Sequence, residues 1–444
     1  MSTAEGVSTA DQPAKPVYPW LVMFVLMLLY TSSYIDRTIL GILVGPIKKD
    51  LAISDTQFSL LTGFAFVIFY TLAGIPMGWM VDRWNRRNLI VAGVTVWSIM
   101  TAACGLAGSY WTLFAARIGV GVGEATLSPA TYSMTTDLFD RQKLARALSV
   151  YSLGIPIGTA LASIIGGSVV QAVGAADAVD LPLIGATKPW QIVFLVIGLP
   201  GLLLALMTLV VREPARRKPP GGAAAPVSVM QALAYLAQHW RAYLPIFLGP
   251  ALVNMFSFSV IAWYPAYLQR VHGFPIVQSG LFVGLSTLVF GILGTIFCGW
   301  LADRLVARGR LDSHLLVGSL YGLGIFVCGG LGPLVPFTWL ALALASLTMF
   351  FSNTWNGVSA AALQLITPGH MRGQISAIWL FFANLVVMTF GPLLVALITD
   401  YGFGRDSAVG YSLAISATIS AVFGCSVMML GRKAVAERAR LMQG

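Results

Sequence analysis

Four charged residues lie deep inside long apolar stretches of this sequence: Asp36, Arg37, Arg117 and Glu124. A charge at the centre of a hydrocarbon layer costs at least about 2.5–3.5 kcal/mol, which makes such residues candidates for function. Burial favours the protonated form of a carboxyl group, a nearby arginine favours its charged form, and the arginine itself keeps its proton. We predict that Asp36 and Glu124 carry protons, with Arg37 and Arg117 as their charge partners and as contacts for substrate.

The spacing of these residues allows pairing between two helices. Arg117 and Glu124 are seven residues apart, so both lie on one helix face, separated by about 10 Å along the axis. One arrangement sets Asp36 toward Arg117 and Arg37 toward Glu124. A structural ion-pair network that joins two helices is the alternative to proton coupling, and the sequence leaves both interpretations open.

The composition predicts that these charges sit in a membrane. Of the 444 residues, 57% are hydrophobic and only 10% charged, whereas a soluble chain carries about 25% charged residues. The charged residues separate apolar runs of about 20 residues or more, each long enough to cross a bilayer. We therefore predict an all-α membrane protein with twelve transmembrane helices, at 20–47, 56–80, 88–108, 111–137, 143–170, 190–212, 243–269, 276–302, 313–332, 337–366, 373–398 and 408–431.

An internal repeat divides these helices into two halves. Gly78-x-x-x-Asp82-Arg83 after the second predicted helix is repeated as Gly299-x-x-x-Asp303-Arg304 after the eighth, at an offset of 221. An even number of helices per half makes the two copies parallel, as in transporters whose halves rock against each other. The predicted organisation is a disordered cytoplasmic N-terminus at 1–19, a first six-helix half at 20–212, a cytoplasmic linker at 213–242, a second half at 243–431 and a cytoplasmic tail at 432–444.

The basic residues predict the orientation of the chain. The net charge is +10, and of the 27 Lys and Arg residues 20 lie at one set of predicted helix ends and five at the other. The positive-inside rule then places both termini in the cytoplasm, for which the inner (plasma) membrane is the expected location. The excess charge thus indicates topology and no nucleic-acid site. The four histidines and four cysteines lack ligand spacing, so we expect no metal, no cofactor and no enzymatic activity.

Two motifs carry a resemblance to a known family. Gly78-x-x-x-Asp82-Arg83-x-x-Arg86-Arg87 resembles the signature loop of the major facilitator superfamily, and the run from Arg117 to Pro129 resembles its motif in the fourth helix. Tyr34 to Arg37, with Gly123-Glu124-Ala125 and Ser128-Pro129-Ala130, resembles the spinster family within it. That resemblance implies a lysolipid or sphingolipid substrate, and proton-driven transport in bacterial relatives.

The repeated loops predict a cytoplasmic gate. An Asp at a helix end can accept hydrogen bonds from the start of a neighbouring helix. We expect a latch that holds the outward-open state, made of Gly78, Asp82, Arg83, Arg86, Arg87, Asp303 and Arg304. The second loop lacks the paired basic residues that close the first, so we do not expect it to have an equal role in gating.

The second half carries no deep charge and offers polar and aromatic side chains instead. The candidates for pocket lining are Asn254, Trp263, Tyr264, Asn353, Trp355, Asn356, Trp379 and Asn384. A charged half facing an apolar, aromatic half suits a small amphipathic substrate, moved by a monomeric carrier in contact with protons and membrane lipids. A drug exporter or an organic-anion (carboxylate) symporter is the alternative. A membrane enzyme lacks a cluster of catalytic groups, and a channel fits a two-fold repeat with a gating loop less well.

Overall fold

A computed structural model describes residues 17–173, 178–182, 184–216, 228–352 and 355–443. The described chain consists of helices joined by short loops, with one hairpin. In the first half, the helices and strands are α1 Tyr18–Ile42, α2 Val44–Leu51, α3 Asp55–Arg83, α4 Arg86–Cys104, α5 Tyr110–Glu124, α6 Leu127–Leu138, α7 Arg141–Ser152, α8 Gly154–Val173, the antiparallel strands β1 Val179–Leu181 and β2 Gly185–Thr187, and α9 Pro189–Thr208. The remaining helices are α10 Val229–Gln238, α11 Trp240–His272, α12 Ile276–Ala307, α13 Ser313–Leu331, α14 Thr338–Ser352, α15 Trp355–Ile366, α16 Arg372–Phe403 and α17 Val409–Gln443.

The described residues account for the twelve predicted spans. Ten helical stretches are long and apolar enough to cross a membrane, and α7 and α8 together form one of them. The fourth and tenth predicted spans are made of shorter helices, α5 with α6 and α14 with α15. The predicted fold class, an all-α membrane protein with twelve transmembrane helices, is therefore confirmed. Most of the polar N-terminal segment at 1–19 lies outside the described residues, although Tyr18 already begins α1.

Three of the predicted helices are interrupted at residues that the structure describes, and a proline explains each of these interruptions. Pro46, Pro129 and Pro156 each occupy the third position of the helix that follows a break, in α2, α6 and α8. A proline has no N–H to donate to the carbonyl four residues earlier, and its ring clashes with that carbonyl. The continuous helices predicted at 20–47, 111–137 and 143–170 are wrong in this detail. As a consequence, Glu124 is the last residue of α5 and lies directly beside a break.

The repeat is visible in the helix geometry. The equivalent helices α3 and α12 each contain one π-helical turn, at Leu60–Phe64 and Thr287–Gly291. Each helix then ends in its copy of the Gly-x-x-x-Asp-Arg motif. The last helix is longer than predicted, because α17 continues past residue 431 to Gln443. We call the end of the bundle that carries Asp82 and Asp303 the basic end.

Close backbone contacts at two glycines involve the helices that carry the deep charges. A Cβ atom on Gly158 of α8 would lie 2.5 Å from the carbonyl oxygen of Thr31 in α1. A Cβ atom on Gly121 of α5 would lie equally close, at 2.5 Å, to the carbonyl oxygen of Phe66 in α3. Only glycine permits helices to approach to this distance. These contacts hold α8 against α1 and α5 against α3, and side chains of α1 and α5 meet in the interior of the first half.

Candidate functional site

Glu124 and Arg37 form the ion pair at the centre of the site. The Arg37 guanidinium donates through Nε at 2.8 Å to Oε2 of Glu124, and its terminal nitrogen lies 2.7 Å from the same oxygen. Ser33 donates a third hydrogen bond to Oε2 at 2.5 Å. The other oxygen, Oε1, is buried and accepts no hydrogen bond from the described residues. The predicted pairing of Arg37 with Glu124 is thus present. All of the described hydrogen-bond donors to the Glu124 carboxylate bind the same oxygen, Oε2.

Aromatic rings surround the Arg37 guanidinium. Its central carbon lies 5.2 Å from the ring centre of Tyr34, 4.8 Å from that of Phe66 and 4.9 Å from that of Tyr70. A ring face attracts a cation and replaces part of its lost hydration. The Arg37 side chain keeps 14% of its surface exposed, whereas that of Glu124 is fully buried. The exposed member of the ion pair is therefore the Arg37 cation, which lies among these aromatic rings.

Asp36 and Arg117 are neighbours, but not through the contact that the sequence predicted. Arg117 donates to the backbone carbonyl of Asp36 at 3.5 Å, and its guanidinium carbon lies 5.1 Å from the ring centre of Phe66. No ion pair joins the Asp36 carboxylate to Arg117 among the described contacts. Both side chains are buried, and Oδ1 of Asp36 and Nε of Arg117 have no hydrogen-bond partner in the described part of the chain. The site therefore holds one satisfied ion pair and one carboxylate whose hydrogen bonding is incomplete.

The predicted pocket residues of the second half divide into three groups. Asn254 and Trp263 are buried and engage their own half: Asn254 bonds the carbonyl of Pro250, and Trp263 bonds that of Pro392. Tyr264 and Trp379 are also buried, and Asn384 is partly exposed. Asn353 lies outside the described residues, and Trp355 and Asn356 begin α15. Pocket lining by these eight residues stays a prediction.

At the basic end, the polar contacts of Asp82, Arg86 and Arg87 lie within the first half and the segment that follows it. Arg86 is buried and binds Asp137 at 2.5 Å and Glu213 at 2.6 Å. The backbone carbonyl of Asp82 accepts a hydrogen bond from Arg216. The remaining residues are less constrained: Arg83 stacks on Trp79, Arg304 stacks on Trp300, Arg87 donates to Asn88, and a Cβ atom on Gly78 would meet open space.

The opposite end of the bundle holds an ion-pair network that the sequence did not predict. Asp55, at the start of α3, has a fully buried side chain that binds Lys48 at 2.5 Å. From the second half, Arg270 donates to both Asp55 oxygens, at 2.7 and 2.9 Å. Asp406 pairs with Lys48 at 2.8 Å and with Arg270 at 3.6 Å. We call these four residues the locked end, because they tie the two halves together.

A second set of contacts crosses between the halves beside the locked end. The Asp400 carboxylate accepts hydrogen bonds from the backbone N–H groups of Asp55 and Thr56, at 3.3 and 2.6 Å, where the dipole of α3 favours an anion. Ser59 donates to the carbonyl of Pro392 at 3.1 Å. The sequence did carry one signal for this network. Lys48 and Arg270 are two of the few basic residues at that set of predicted helix ends, so acidic partners could have been sought for them.

Comparisons with known proteins agree with this architecture. Residues 26–392 match the Major Facilitator Superfamily. An MFS-type efflux pump of Mycolicibacterium smegmatis is 28% identical over 404 residues, which cover 90% of this chain and 89% of that protein. A D-galactonate transporter of Escherichia coli is 24% identical over 92% of this chain and 94% of its own length. In the described residues, no group of three or more His, Cys, Asp or Glu is placed to hold a metal ion.

A solved structure shares the fold over nearly the whole chain. It is that of a bacterial homologue of the human lysosomal transporter Spinster, in an inward-facing and unoccupied conformation. Its TM-score is 0.78 at 23% identity, and the match covers 97% of this chain and 98% of that one. The resemblance predicted from the motifs is confirmed at the level of the fold. The chain is an integral membrane protein and belongs to the Major Facilitator Superfamily.

Proposed function

We propose that this protein is a proton-coupled secondary active transporter of an amphipathic, lysolipid- or sphingolipid-like substrate. The halves would alternate between a state closed at the locked end and a state closed at the basic end. The substrate's acidic head group would bind beside Arg37, and its apolar part would lie against the second half. Protons would be carried by Glu124 and Asp36.

The contact between Arg37 and Glu124 carries the proposal. While Glu124 is ionised, its Oε2 lies 2.7 Å from the Arg37 guanidinium and serves as the counter-ion of that cation. Protonation of Glu124 removes that charge and leaves a cation that needs another anion, because arginine keeps its proton. An acidic head group can then replace the carboxylate. Proton binding and substrate binding would thus favour each other, as symport requires.

Asp36 would act as the second proton site. Its buried carboxylate has an oxygen without a hydrogen-bond donor, and an unpaired buried charge of this kind is costly. Protonation relieves the cost, whereas ionisation becomes favourable when the surroundings change. A rearrangement of α1 against α5 during transport would supply such a change, because these helices carry both carboxylates.

The described part of the second half favours an amphiphile over a highly hydroxylated substrate. Asn254, Ser257 and Trp263 direct their polar atoms to backbone carbonyls or to each other, so these groups are not available to sugar hydroxyls. The exposed face of Arg37 is bordered by aromatic rings. A head group that ends in one acidic moiety, attached to an apolar tail, matches this distribution of polarity.

A sugar-acid or other organic-anion symporter is the second candidate, and a specific observation favours it. Several relatives are transporters of galactarate, D-galactonate or hexuronate, at 22–26% identity over 85–95% of this chain. A carboxylate could bind Arg37 by the same exchange with Glu124. A drug exporter is the third candidate, supported by the efflux pump that is 28% identical.

The two ends of the molecule support a gating proposal. The locked end joins the halves, while the polar contacts of Asp82, Arg86 and Arg87 stay within the first half and the segment after it. We infer an inward-facing state, with Gly78 to Arg87 and Asp303 to Arg304 forming the latch of the opposite state. The basic end would face the cytoplasm of the plasma membrane, and so would both termini, in accord with the positive-inside rule.

Transport into proteoliposomes tests the proposal. Purified protein is reconstituted and assayed with a lysolipid, a sphingoid base, an aldonate and a hexuronate, with and without an inward proton gradient. We expect proton-stimulated uptake of a lysolipid with an acidic head group, lost in Glu124→Gln and retained in Asp180→Asn, a control at an exposed carboxylate in the hairpin. Stimulated uptake of the sugar acids alone would replace the amphiphile with the second candidate. Uptake unaffected by the gradient for every substrate would refute proton coupling.

A further inference from the structure

A groove lies between α3 and α4 on the outside of the first half. It has a volume of about 390 Å³, and its floor is formed by Val122, Gly123 and Thr126 near the break between α5 and α6. Its walls are almost entirely apolar, with Met77 and Met80 on one side and Val96 on the other. The two helices that form the walls diverge from the loop that joins them at Trp84 and Asn85.

The position of the groove places it in one leaflet of the bilayer. Trp84 at the mouth is 54% exposed, and exposed tryptophans favour the level of the lipid head groups. From Asn85 to Val96, α4 rises by about 16 Å, close to half of a hydrocarbon core of about 30 Å. Val96 and Ala92 are exposed on the outer surface of the bundle. The groove thus begins at head-group depth and ends near the bilayer midplane.

The mouth of the groove is polar and carries hydrogen-bond donors. Asn85 caps the start of α4, and its side-chain oxygen accepts from the backbone N–H of Asn88. The oxygen of the Asn88 side chain in turn accepts from Nε of Arg87, at 3.0 Å. Both side-chain oxygens are therefore occupied, which leaves the amide NH₂ groups of Asn85 and Asn88 as donors at the mouth, with the Arg87 guanidinium beside Asn88. A phosphodiester is an acceptor of suitable charge for amide donors beside a guanidinium.

We propose that this groove binds a membrane phospholipid, distinct from any transported substrate. One acyl chain would lie between α3 and α4, and the phosphodiester would lie at Arg87, Asn85 and Asn88. The position of the groove favours a lipid as its ligand, because an apolar groove that opens at hydrocarbon depth is bordered by acyl chains. The site also touches the proposed latch, since α3 and its loop form one wall. A bound lipid would therefore stabilise one position of that helix.

Native mass spectrometry of the full-length protein tests the proposal. Delipidated protein receives phosphatidylglycerol, phosphatidylcholine, diacylglycerol or inorganic phosphate in separate samples, and the bound fraction is measured. Ala92→Phe fills the groove from an exposed position on α4. Ala115→Phe is the matched control, because Ala115 is exposed on α5 outside the groove. Arg87→Gln removes the cation at the mouth.

We expect both phospholipids to bind to the wild-type protein and to Ala115→Phe. Ala92→Phe should lower the affinity of one bound phospholipid about tenfold or more, equivalent to about 1.4 kcal/mol. Arg87→Gln should weaken the same phospholipid but not diacylglycerol. Equal phospholipid binding by Ala92→Phe and Ala115→Phe would overturn the groove as the site. Binding of diacylglycerol as tight as that of the phospholipids, or binding of inorganic phosphate alone, would overturn the assignment of the occupant.

Discussion

Arg270 in the second half donates two hydrogen bonds, at 2.7 and 2.9 Å, to the buried carboxylate of Asp55 in the first half. Lys48 binds Oδ1 of the same carboxylate at 2.5 Å. Removing one member of a buried ion pair leaves the other uncompensated, at a cost of about 3–5 kcal/mol. The Asp55 carboxylate therefore contributes strongly to the state in which the locked end is closed.

We expect Asp55→Asn to open the locked end. The substitution keeps the size of the side chain but removes the charge that holds Lys48 and Arg270. A cysteine introduced as Ser59→Cys, buried beside Pro392 in the closed state, reports opening by its rate of maleimide alkylation. The rate should rise about tenfold or more, as a shift of 1.4 kcal/mol predicts. Asp180→Asn in the same background is the control, and alkylation at the rate of that control would contradict the role of Asp55.

Glu124→Gln should make substrate affinity independent of pH. Glutamine keeps the shape of the protonated side chain but cannot ionise, so Arg37 loses its internal anion at every pH. Substrate dissociation constants of wild-type protein and variant, measured between pH 5.5 and 8.5, test this prediction. The wild-type affinity should fall as the pH rises, whereas that of the variant should remain constant. An unchanged pH dependence in Glu124→Gln would assign the proton to another group.

Arg37→Lys should weaken substrate binding even though the charge is retained. Lysine lacks the planar fork of donors and fits less well among the three rings of Tyr34, Phe66 and Tyr70. The lost stacking and bidentate contact predict about a tenfold weaker affinity, within the range of about 0.5–2 kcal/mol for such contacts. Arg241→Lys is a matched control, because Arg241 also stacks on an aromatic ring, at 5.7 Å from that of Trp240, outside the site. Equal affinities of both variants would remove Arg37 from the binding site.

Asp36→Asn should separate stability from transport. The carboxylate is buried, and one of its oxygens lacks a hydrogen-bond donor. Replacing it with a neutral amide of the same shape removes a buried charge, so we expect an unchanged or higher Tm. Proton-driven uptake should nevertheless be lost, whereas substrate counterflow without a gradient should persist. A large drop in Tm with normal uptake per folded molecule would instead indicate a structural role for Asp36.

The local pattern of the sequence predicted the helices and the central ion pair. The apolar runs marked every span, and the rarity of deep charges singled out both Arg37 and Glu124 before any contact was known. The breaks beside Pro46, Pro129 and Pro156 followed from backbone chemistry that a closer reading of the prolines would have found. Hydrophobicity alone does not reveal these helix breaks, because the run of apolar residues continues across each of them.

The locked end could not be predicted from the sequence. Asp55 and Arg270 are 215 positions apart and lie at helix ends, where charged residues are ordinary. Their pairing depends on the relative position of the two halves, which local sequence does not encode. For a similar reason the contact between Arg117 and Asp36 differed from the prediction. The rotation of α1 and α5 directs the guanidinium to a backbone carbonyl, and spacing along each helix does not determine that rotation.

Gly78→Leu should block transport without disturbing the state described here. A Cβ atom at Gly78 meets nothing within 4 Å, so this conformation has room for a larger side chain. Closure of the basic end would bring α3 against the second half, and the added side chain would then prevent close packing. We expect a Tm close to that of the wild type, loss of uptake, and alkylation of Ser59→Cys slower than in the unsubstituted background. Gly45→Leu, also in open space but on α2 beside the locked end, is the control. Normal uptake by Gly78→Leu would exclude tight closure at this glycine and, with it, the proposed latch.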